Sequence, residues 1–176
     1  MHSSISSEKN KPNLYLVGMM GTGKSTIGKV LADQLRMNFI DSDESIEESY
    51  GQSISEIFTQ KGENFFRNLE QEFITNGHPD QNQVVACGGG LCIPVGMMEL
   101  LKSKGTVICL LATPETLLER TKTDHSRPLL QVAHPLEQLE KLIQERECRY
   151  READYLIKTD GSTVDQIVAE IMKTLE

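Results

Sequence analysis

The stretch Gly18-Met-Met-Gly-Thr-Gly-Lys24-Ser25 contains the residue types of a phosphate-binding loop. It follows a short apolar run, opens a segment of helical period and fits the spacing GxxxxGK[ST]. Its glycines allow backbone N–H groups to turn toward phosphate oxygens at a helix N-terminus, where anions are favoured. Lys24 supplies a positive charge for the β- and γ-phosphates, and Ser25 supplies a hydroxyl ligand for Mg²⁺. The loop therefore predicts that the chain binds a nucleoside triphosphate.

A pair of carboxylates follows the next apolar run, in Phe39-Ile-Asp41-Ser-Asp43-Glu44. The carboxyl end of a strand is where α/β proteins bind ligands. On an extended chain Asp41 and Asp43 point the same way. One could then hold Mg²⁺ through water while the other orients or deprotonates a substrate hydroxyl. A solvated helix start explains the acidic composition of 41–48 as well, because acids favour a helix N-terminus. Both alternatives stay open from this segment alone.

Two further segments carry candidate ligand groups. In Gly62-Glu-Asn-Phe-Phe-Arg67-Asn-Leu-Glu70, Arg67 and Glu70 are three residues apart on a predicted helix. They form either a surface ion pair of little energetic value or a clamp in which Glu70 holds Arg67 for a substrate carboxylate. The predicted strand Val84–Cys87 runs into Gly88, Gly89 and Gly90. Three successive glycines favour a close approach of the backbone to a ligand over a simple turn.

A polar stretch between two predicted helices, Asp124-His-Ser-Arg127-Pro-Leu-Leu130, adds another arginine. Its composition is typical of a mobile lid, and it would bring Arg127 toward the transferring phosphate.

The elements that must position these residues alternate between short β-prone runs and longer helical segments. Strands are predicted at Leu14–Val17, Asn38–Ile40, Val84–Cys87, Thr106–Leu111 and Tyr155–Lys158. Helix starts are indicated by capping boxes at Ser53 and Thr163, by a Thr113 cap, and by a first-position proline at Pro94, Pro114 and Pro135. Alternation of strand and helix predicts a three-layer α/β/α fold with a five-stranded parallel sheet.

Length and charge limit the function classes. The chain has 176 residues, the size of a single domain over 1–176, and residues 1–12 are polar and expected to be disordered. Its formal net charge of −8 argues against nucleic acid and membrane surfaces as partners, because both need a basic footprint. No apolar run reaches membrane-spanning length and the start lacks a secretory apolar core, so we expect a cytoplasmic protein. The four cysteines show no metal-binding spacing.

Together these segments resemble the shikimate kinases, from Leu14 to the terminal helix. The resemblance rests on GMMGTGKST, FIDSDESIE, GENFFRNLE, CGGG, RPLL and Arg146 four residues before Tyr150 in RECRYREAD. It implies a P-loop kinase fold with substrate-binding helices over about 43–76 and a mobile lid over about 121–134. It also implies transfer of the γ-phosphoryl group of ATP to the 3-hydroxyl of shikimate, in aromatic amino acid (chorismate) biosynthesis. Family members generally act as monomers.

The resemblance also implies roles for individual residues. Asp41 would be the water-mediated partner of one Mg²⁺ beside Ser25, Arg120 would stack on adenine, and Arg127 would meet the phosphates. The residues that would carry the reaction are Lys24, Asp43 and Arg127. Those that would bind the nucleotide are Gly21, Thr22, Gly23, Lys24, Ser25, Thr26, Arg120 and Arg127. Those that would bind shikimate are Asp43, Arg67, Gly88, Gly89, Gly90 and Arg146.

The chain departs from the family pattern at two places. Met19 stands where the family usually has an apolar or aromatic residue, often Phe, and Cys148-Arg149 stands where many members have Pro-Leu. Arg146 is preferred over Arg149 and Arg151 as the carboxylate ligand because its spacing to Tyr150 is kept. Two other functions are weighed against this one: a P-loop kinase acting on gluconate or a nucleoside monophosphate, and a non-catalytic nucleotide-binding module.

Overall fold

The structure is a computed structural model and describes residues 10–122 and 133–176. Its strands are β1 Asn13–Val17, β2 Asn38–Asp41, β3 Gln83–Ala86, β4 Gly105–Leu111 and β5 Tyr155–Lys158. The helices of the described residues are α1 Lys24–Leu35, α2 Ser42–Tyr50, α3 Ile54–Lys61, α4 Glu63–Asn76, α5 Met97–Lys104, α6 Pro114–Thr121, α7 Pro135–Tyr150 and α8 Val164–Thr174.

The five strands form one parallel sheet in the order β2-β3-β1-β4-β5. In the register, Leu14 of the central strand lies beside Val84 on one side and Thr106 on the other. All five predicted strands are confirmed, with bounds that shift by no more than one residue. Because the chain after β1 moves outward to β2 and later to β4 on the other side, a crevice opens at the carboxyl end of β1.

Helices cover both faces of the sheet, which confirms the three-layer prediction. Side chains alternate along β1: Tyr15 and Val17 face one apolar cluster, and Leu14 and Leu16 face the other. The first cluster is filled from α2 to α7, and the second is filled from α1 and α8. β1 is buried along its whole length, so the loop that follows it is anchored to the core.

Most of the predicted helix starts are confirmed. Ser53 and Thr163 each accept a hydrogen bond from the backbone N–H three residues on, and the capping boxes are complete. Thr113 caps α6 ahead of Pro114, and α7 begins at Pro135.

The prediction that Pro94 opens a helix is wrong. α5 begins at Met97, and Gly96 is its N-cap with a left-handed φ of 86°. The carbonyl of Pro94 accepts a hydrogen bond from the Met97 N–H at 3.1 Å, so Pro94 belongs to a turn before the helix. Because Gly96 is left-handed, the helix cannot extend back to Pro94. The preference of proline for the first helical position is therefore not expressed here.

The two segments expected to be mobile lie only partly within the described residues. Near the N-terminus, the Lys11 N–H donates to the side-chain oxygen of Asn82, and the Asn82 N–H donates to the Lys11 carbonyl. Pro12 forms an isolated antiparallel β-bridge with Gln81. Residues 11 and 12 are thus held at the sheet, and residues 1–9 lie outside the described part. Of the predicted lid, Thr121 ends α6 and His134 caps α7, and 123–132 lie outside the described part. No helix among the described residues is long and apolar enough to cross a membrane.

Candidate active site

The phosphate-binding loop connects the buried strand β1 to α1. Gly21 and Gly23 adopt left-handed φ values of 81° and 94°, which L side chains rarely adopt. The hydroxyl of the buried Thr22 donates to the Met19 carbonyl at 2.8 Å and braces the loop. α1 begins at Lys24 without a side-chain cap, so its first turn presents backbone N–H groups at the positive end of a helix. This arrangement suits a phosphate, as the motif predicts.

Lys24 lies across the mouth of the loop. Its Nζ donates to the carbonyl oxygens of Gly18 and Met19, each at 2.9 Å. These neutral partners keep the ammonium beside the loop N–H groups. A cation in this place is well located to meet phosphate oxygens.

Ser25 and Asp41 form a hydroxyl–carboxylate pair next to the loop. Ser25 Oγ donates to Asp41 Oδ2 at 2.7 Å, which joins the start of α1 to the end of β2. Hard oxygen donors of this kind suit Mg²⁺, which keeps several waters and takes its other ligands from substrate phosphates. Within 10–122 and 133–176 no group of three or more His, Cys, Asp or Glu side chains could hold a metal by itself. The donor set therefore fits a magnesium ion shared with a nucleotide.

The expected common orientation of Asp41 and Asp43 on an extended chain is wrong. β2 ends at Asp41, whose Oδ1 accepts from the Asp43 N–H at 3.0 Å and caps α2. Asp43 lies in the first turn of α2. A Cβ added to Gly88 would be 2.5 Å from Asp43 Oδ1. The segment after Asp41 is therefore the start of a helix, as one of the two alternatives expected. The helix nevertheless places the Asp43 carboxylate beside Gly88, just after β3.

Arg67 is held by carboxylates on its own helix, α4. Its Nη1 lies 2.6 Å from Glu70 Oε2, and its Nη2 lies 2.8 Å from Glu63 Oε1. Glu70 is 1% exposed, so this is no ordinary surface ion pair. Burial raises the pKa of Glu70 to about 7, the Arg67 guanidinium opposes that rise, and the nearby Asp43 carboxylate adds to it. Arg67 and Glu70 therefore form a partly buried ion pair that fixes Arg67, and binding of a substrate carboxylate by Arg67 stays a prediction.

The three glycines after β3 make room for these side chains. A Cβ on Gly90 would lie 2.6 Å from Arg67 Nη2, whereas a Cβ on Gly89 would meet nothing closer than 3.5 Å. The Gly88 N–H donates to the buried Ser42 Oγ at 2.9 Å, which ties the segment to the start of α2. The glycines were expected to admit a ligand; in this structure Gly88 and Gly90 admit Asp43 and Arg67.

Arg146 reaches the same segment from α7. Its Nη1 lies 3.4 Å from the Gly89 carbonyl and 3.8 Å from Met19 Sδ. The hydroxyl of the buried Tyr150 donates to the Gly89 carbonyl at 2.7 Å, and burial raises the pKa of Tyr150. The spacing of four residues therefore lets Arg146 and Tyr150 contact the same group, the Gly89 carbonyl.

The neighbouring arginines of α7 are engaged elsewhere. Arg149 pairs with Glu152 at 3.0 Å, and Arg151 Nε donates to Glu147 at 2.9 Å. Of these three arginines, Arg146 is the one that contacts the phosphate loop and the glycine segment, which supports the choice made from its spacing.

Arg120 joins the loop to the end of β5. Its guanidinium donates to the carbonyl and hydroxyl of Thr159 at 2.8 and 2.9 Å, and to the Gly21 carbonyl at 3.4 Å. A cavity of about 450 Å³ lies beside it, lined by the loop residues 20–27 and by Ser162, Val164 and Ile167. Its place between the loop and an open cavity is compatible with contact to a nucleotide base.

Sequence reasoning missed three residues of this site. Thr159 is fully buried and fixes Arg120, and Ser162 lines the cavity. Both lie in the turn-prone stretch 159–162 after β5, where ligands of α/β folds bind, and that position was the available signal. Glu63 is the third, and its spacing of four residues from Arg67 was the signal. The predicted Arg127 lies outside the described residues, and its role stays a prediction.

Comparisons with known proteins agree with this geometry. A family model described as "Shikimate kinase" matches residues 20–176. The chain is 42% identical to a shikimate kinase of Thermodesulfovibrio yellowstonii over 93% of this chain and 95% of that one. It is similar to the structure of a shikimate kinase from Acinetobacter baumannii in complex with shikimate, at 38% identity and a TM-score of 0.88, covering 94% of this chain and 93% of that one.

A gluconokinase from Sinorhizobium meliloti matches with a TM-score of 0.53 at 14% identity, covering 93% of this chain and 95% of that one. A likeness at that identity shows the fold alone.

Proposed function

Because this chain belongs to the shikimate kinase family, we propose that it transfers the γ-phosphoryl group of ATP to the 3-hydroxyl of shikimate, in the pathway to chorismate and the aromatic amino acids. The observation that carries the proposal is the convergence on the glycine segment. Asp43 meets it at Gly88, Arg146 at Gly89 and Arg67 at Gly90. An acid and two guanidiniums thus gather beside the phosphate-binding loop.

The substrate side suits a ring that carries both a carboxylate and hydroxyl groups. Arg67 and Arg146 would bind the carboxylate, because a planar guanidinium forms two parallel hydrogen bonds with it. Asp43 would orient the 3-hydroxyl and accept its proton as the oxygen attacks. Gly88 and Gly90 make room for the Asp43 and Arg67 side chains, and Gly89, whose Cβ would meet nothing closer than 3.5 Å, would let the ring lie close to the backbone.

The nucleotide side suits a triphosphate. Gly21, Thr22, Gly23, Ser25 and Thr26 would surround the phosphates, and Lys24 would leave two neutral carbonyls for them. Ser25 and Asp41 would hold one Mg²⁺, which neutralises charge on the β- and γ-phosphates when bound. Arg120 would contact the adenine beside the cavity near Ser162. Phosphoryl transfer needs mainly positioning and charge neutralisation, and this chain's cations supply both.

We further propose that residues 1–176 form one domain that acts as a cytoplasmic monomer, with Arg127 closing over the phosphates. Size-exclusion chromatography with light scattering tests this, and a stable dimer at micromolar concentration would contradict it.

A coupled ADP-release assay with shikimate, gluconate and AMP tests the activity. We expect turnover with shikimate alone. Turnover only with gluconate or AMP would assign the chain to another small-metabolite kinase. ATP binding without turnover of any of the three would identify a non-catalytic nucleotide-binding module.

Asp43→Asn tests the acid. Loss of a general base reduces turnover by about 10²- to 10⁴-fold, and the affinity for ATP should persist because Asp43 lies on the substrate side. Glu48→Gln, which removes an exposed charge from the same helix, is the matched control. Near-normal turnover of Asp43→Asn would refute its role in the reaction.

A further inference from the structure

Two carboxylates on α4 bracket the Arg67 guanidinium, and they differ in burial. The Glu70 side chain is 2% exposed, and its Oε2 lies 2.6 Å from Nη1. The Glu63 side chain is 63% exposed, and its Oε1 lies 2.8 Å from Nη2 and 3.3 Å from Nε. A buried ion pair resists separation, whereas an exposed one contributes little to holding its partner. The exposed partner therefore calls for a separate explanation.

Glu63 occupies the edge of the guanidinium that a carboxylate prefers. Nε and Nη2 donate in parallel along one edge, and one Glu63 oxygen accepts from both. The edge between Nη1 and Nη2 is crowded: Nη1 is bonded to Glu70, and the Gly90 backbone lies so close that a Cβ there would be 2.8 Å from Nη1 and 2.6 Å from Nη2. A substrate carboxylate that needs two parallel N–H donors therefore has to take the edge that Glu63 holds.

We propose that Glu63 is a displaceable competitor within the chain for the substrate carboxylate, and that it sets which anions Arg67 accepts. The inference rests on the proposed function, in which Arg67 binds the carboxylate of shikimate. A ligand with a planar carboxylate can exchange both hydrogen bonds at once and replace Glu63. A hydroxyl or a chloride ion can replace only part of the contact, so it leaves Glu63 in place.

Displacement of Glu63 costs little. An exposed pair four residues apart on a helix is weak, because water solvates both partners well. Glu63 is also the first residue of α4, and Gly62 before it provides no side-chain cap. The positive end of the helix therefore offers the displaced carboxylate another favourable place. Glu70 stays bonded throughout, so Arg67 keeps its orientation while the ligand changes.

Steady-state kinetics of Glu63→Gln measure this competition. Removing an exposed ion-pair partner changes a binding constant by about two- to fivefold. We therefore expect the KM for shikimate to fall by that factor, with kcat changed less than about twofold and the KM for ATP unchanged. Glu72→Gln is the matched control, because it removes an exposed charge from the same helix and changes net charge equally. Its shikimate KM should equal the wild-type value.

Titration calorimetry with shikimate, without nucleotide, provides a second readout that turnover does not affect. Glu63→Gln should bind shikimate more tightly than the wild type and the control. An unchanged or weaker affinity in Glu63→Gln, beside normal wild-type turnover, would overturn the competitor role alone and identify Glu63 as a support for Arg67. Absence of shikimate turnover in the wild type would instead overturn the proposed function and this inference with it.

Discussion

The phosphate-binding loop and the Arg67 clamp each present a cation to an anionic substrate, but their cations are held by different partners. Lys24 Nζ donates to two neutral carbonyls of its own loop, and these are the bonds that phosphate oxygens would replace. Arg67 is held by two carboxylates, one of them buried. Neutral partners are exchanged readily for charged phosphate oxygens, whereas a buried carboxylate resists separation from its cation. The loop is therefore suited to capture a ligand, and the clamp to keep one orientation.

Removal of the loop cation should have the largest effect on activity. In Lys24→Met the ammonium that meets the developing phosphoryl charge is absent, and we expect turnover to fall by about 10³-fold. The coupled ADP-release assay measures it. Lys29→Met, which removes an exposed lysine of α1 that lies over the Phe39 ring, is the control and should remain close to the wild type. A loss below tenfold in Lys24→Met would mean that the loop holds phosphate by its backbone alone.

Removal of the Arg146 guanidinium should weaken the binding of shikimate and leave the binding of ATP nearly unchanged. Hydrogen bonds to charged groups contribute about 1.5–3 kcal/mol, so Arg146→Ala should weaken shikimate binding by about 10- to 100-fold. ATP binding should change far less, because Arg146 donates to the Gly89 carbonyl, which belongs to the proposed substrate side. Calorimetric titration with each ligand separates the two effects. Arg149→Ala is the control, and equal loss of both ligands in Arg146→Ala would show that the assignment to the carboxylate is wrong.

A single methyl group should disturb the clamp while leaving the loop intact. In Gly90→Ala the new Cβ would lie 2.6 Å from Arg67 Nη2, so the guanidinium must move. Misplacement of this kind should raise the shikimate KM by about tenfold, with little change in the KM for ATP. Gly89→Ala, whose Cβ would meet nothing closer than 3.5 Å, should have a smaller effect. If both substitutions act equally, the close approach of Arg67 to Gly90 is unimportant.

The smallest effect is expected from pH, through Glu70. Burial raises the pKa of Glu70 to about 7, with Arg67 opposing and Asp43 adding to the rise. Below that pH the carboxyl is neutral and holds Arg67 less firmly, so the shikimate KM should rise about two- to fivefold between pH 8 and pH 6. Glu70→Gln should remove this dependence. Persistence of the same pH profile in Glu70→Gln would assign it to another group.

Glu70 should also make the stability of the protein depend on pH, and in the opposite direction: stability should increase as pH falls, whereas shikimate binding should weaken. Between the ordinary carboxyl pKa and about 7 the folded chain holds a proton that the unfolded chain releases. The contribution of Glu70 to the free energy of unfolding is therefore greatest at pH values below that interval. It falls by up to about 1.4 kcal/mol per pH unit as pH rises through the interval. Urea unfolding at several pH values, for the wild type and Glu70→Gln, measures the difference.

Much of the fold follows from local sequence. Each strand is a short β-prone run bounded by turn residues, and both capping boxes form from residues three positions apart. The prediction for Pro94 was wrong because a left-handed Gly96 displaced the helix start, and that conformation depends on the path of the surrounding chain. Local propensity therefore predicts that an element exists better than it predicts its boundary.

The sequence predicted the residue types of the candidate site, but it did not predict how their side chains are oriented. The residue types at Asp43, Arg67 and Gly88 were recognised from their motifs. Their mutual orientation was not, because Asp43 leaves the strand for a helix and then faces Gly88. Glu63 went unrecognised because a glutamate four residues before an arginine is ordinary on any helix surface.

The sequence by itself determined the phosphate-binding loop, the alternation of strands and helices, and the chemical types of the site residues. These features depend on neighbours in the chain: Lys24 bonds to carbonyls five and six residues away. Only the tertiary structure decided which backbone group Arg146 contacts and which side chains the glycines accommodate. Arg146 meets Gly89 across 57 residues, and Gly88 meets Ser42 across 46. Contacts of that separation depend on how the helices pack over the sheet, which no local pattern specifies.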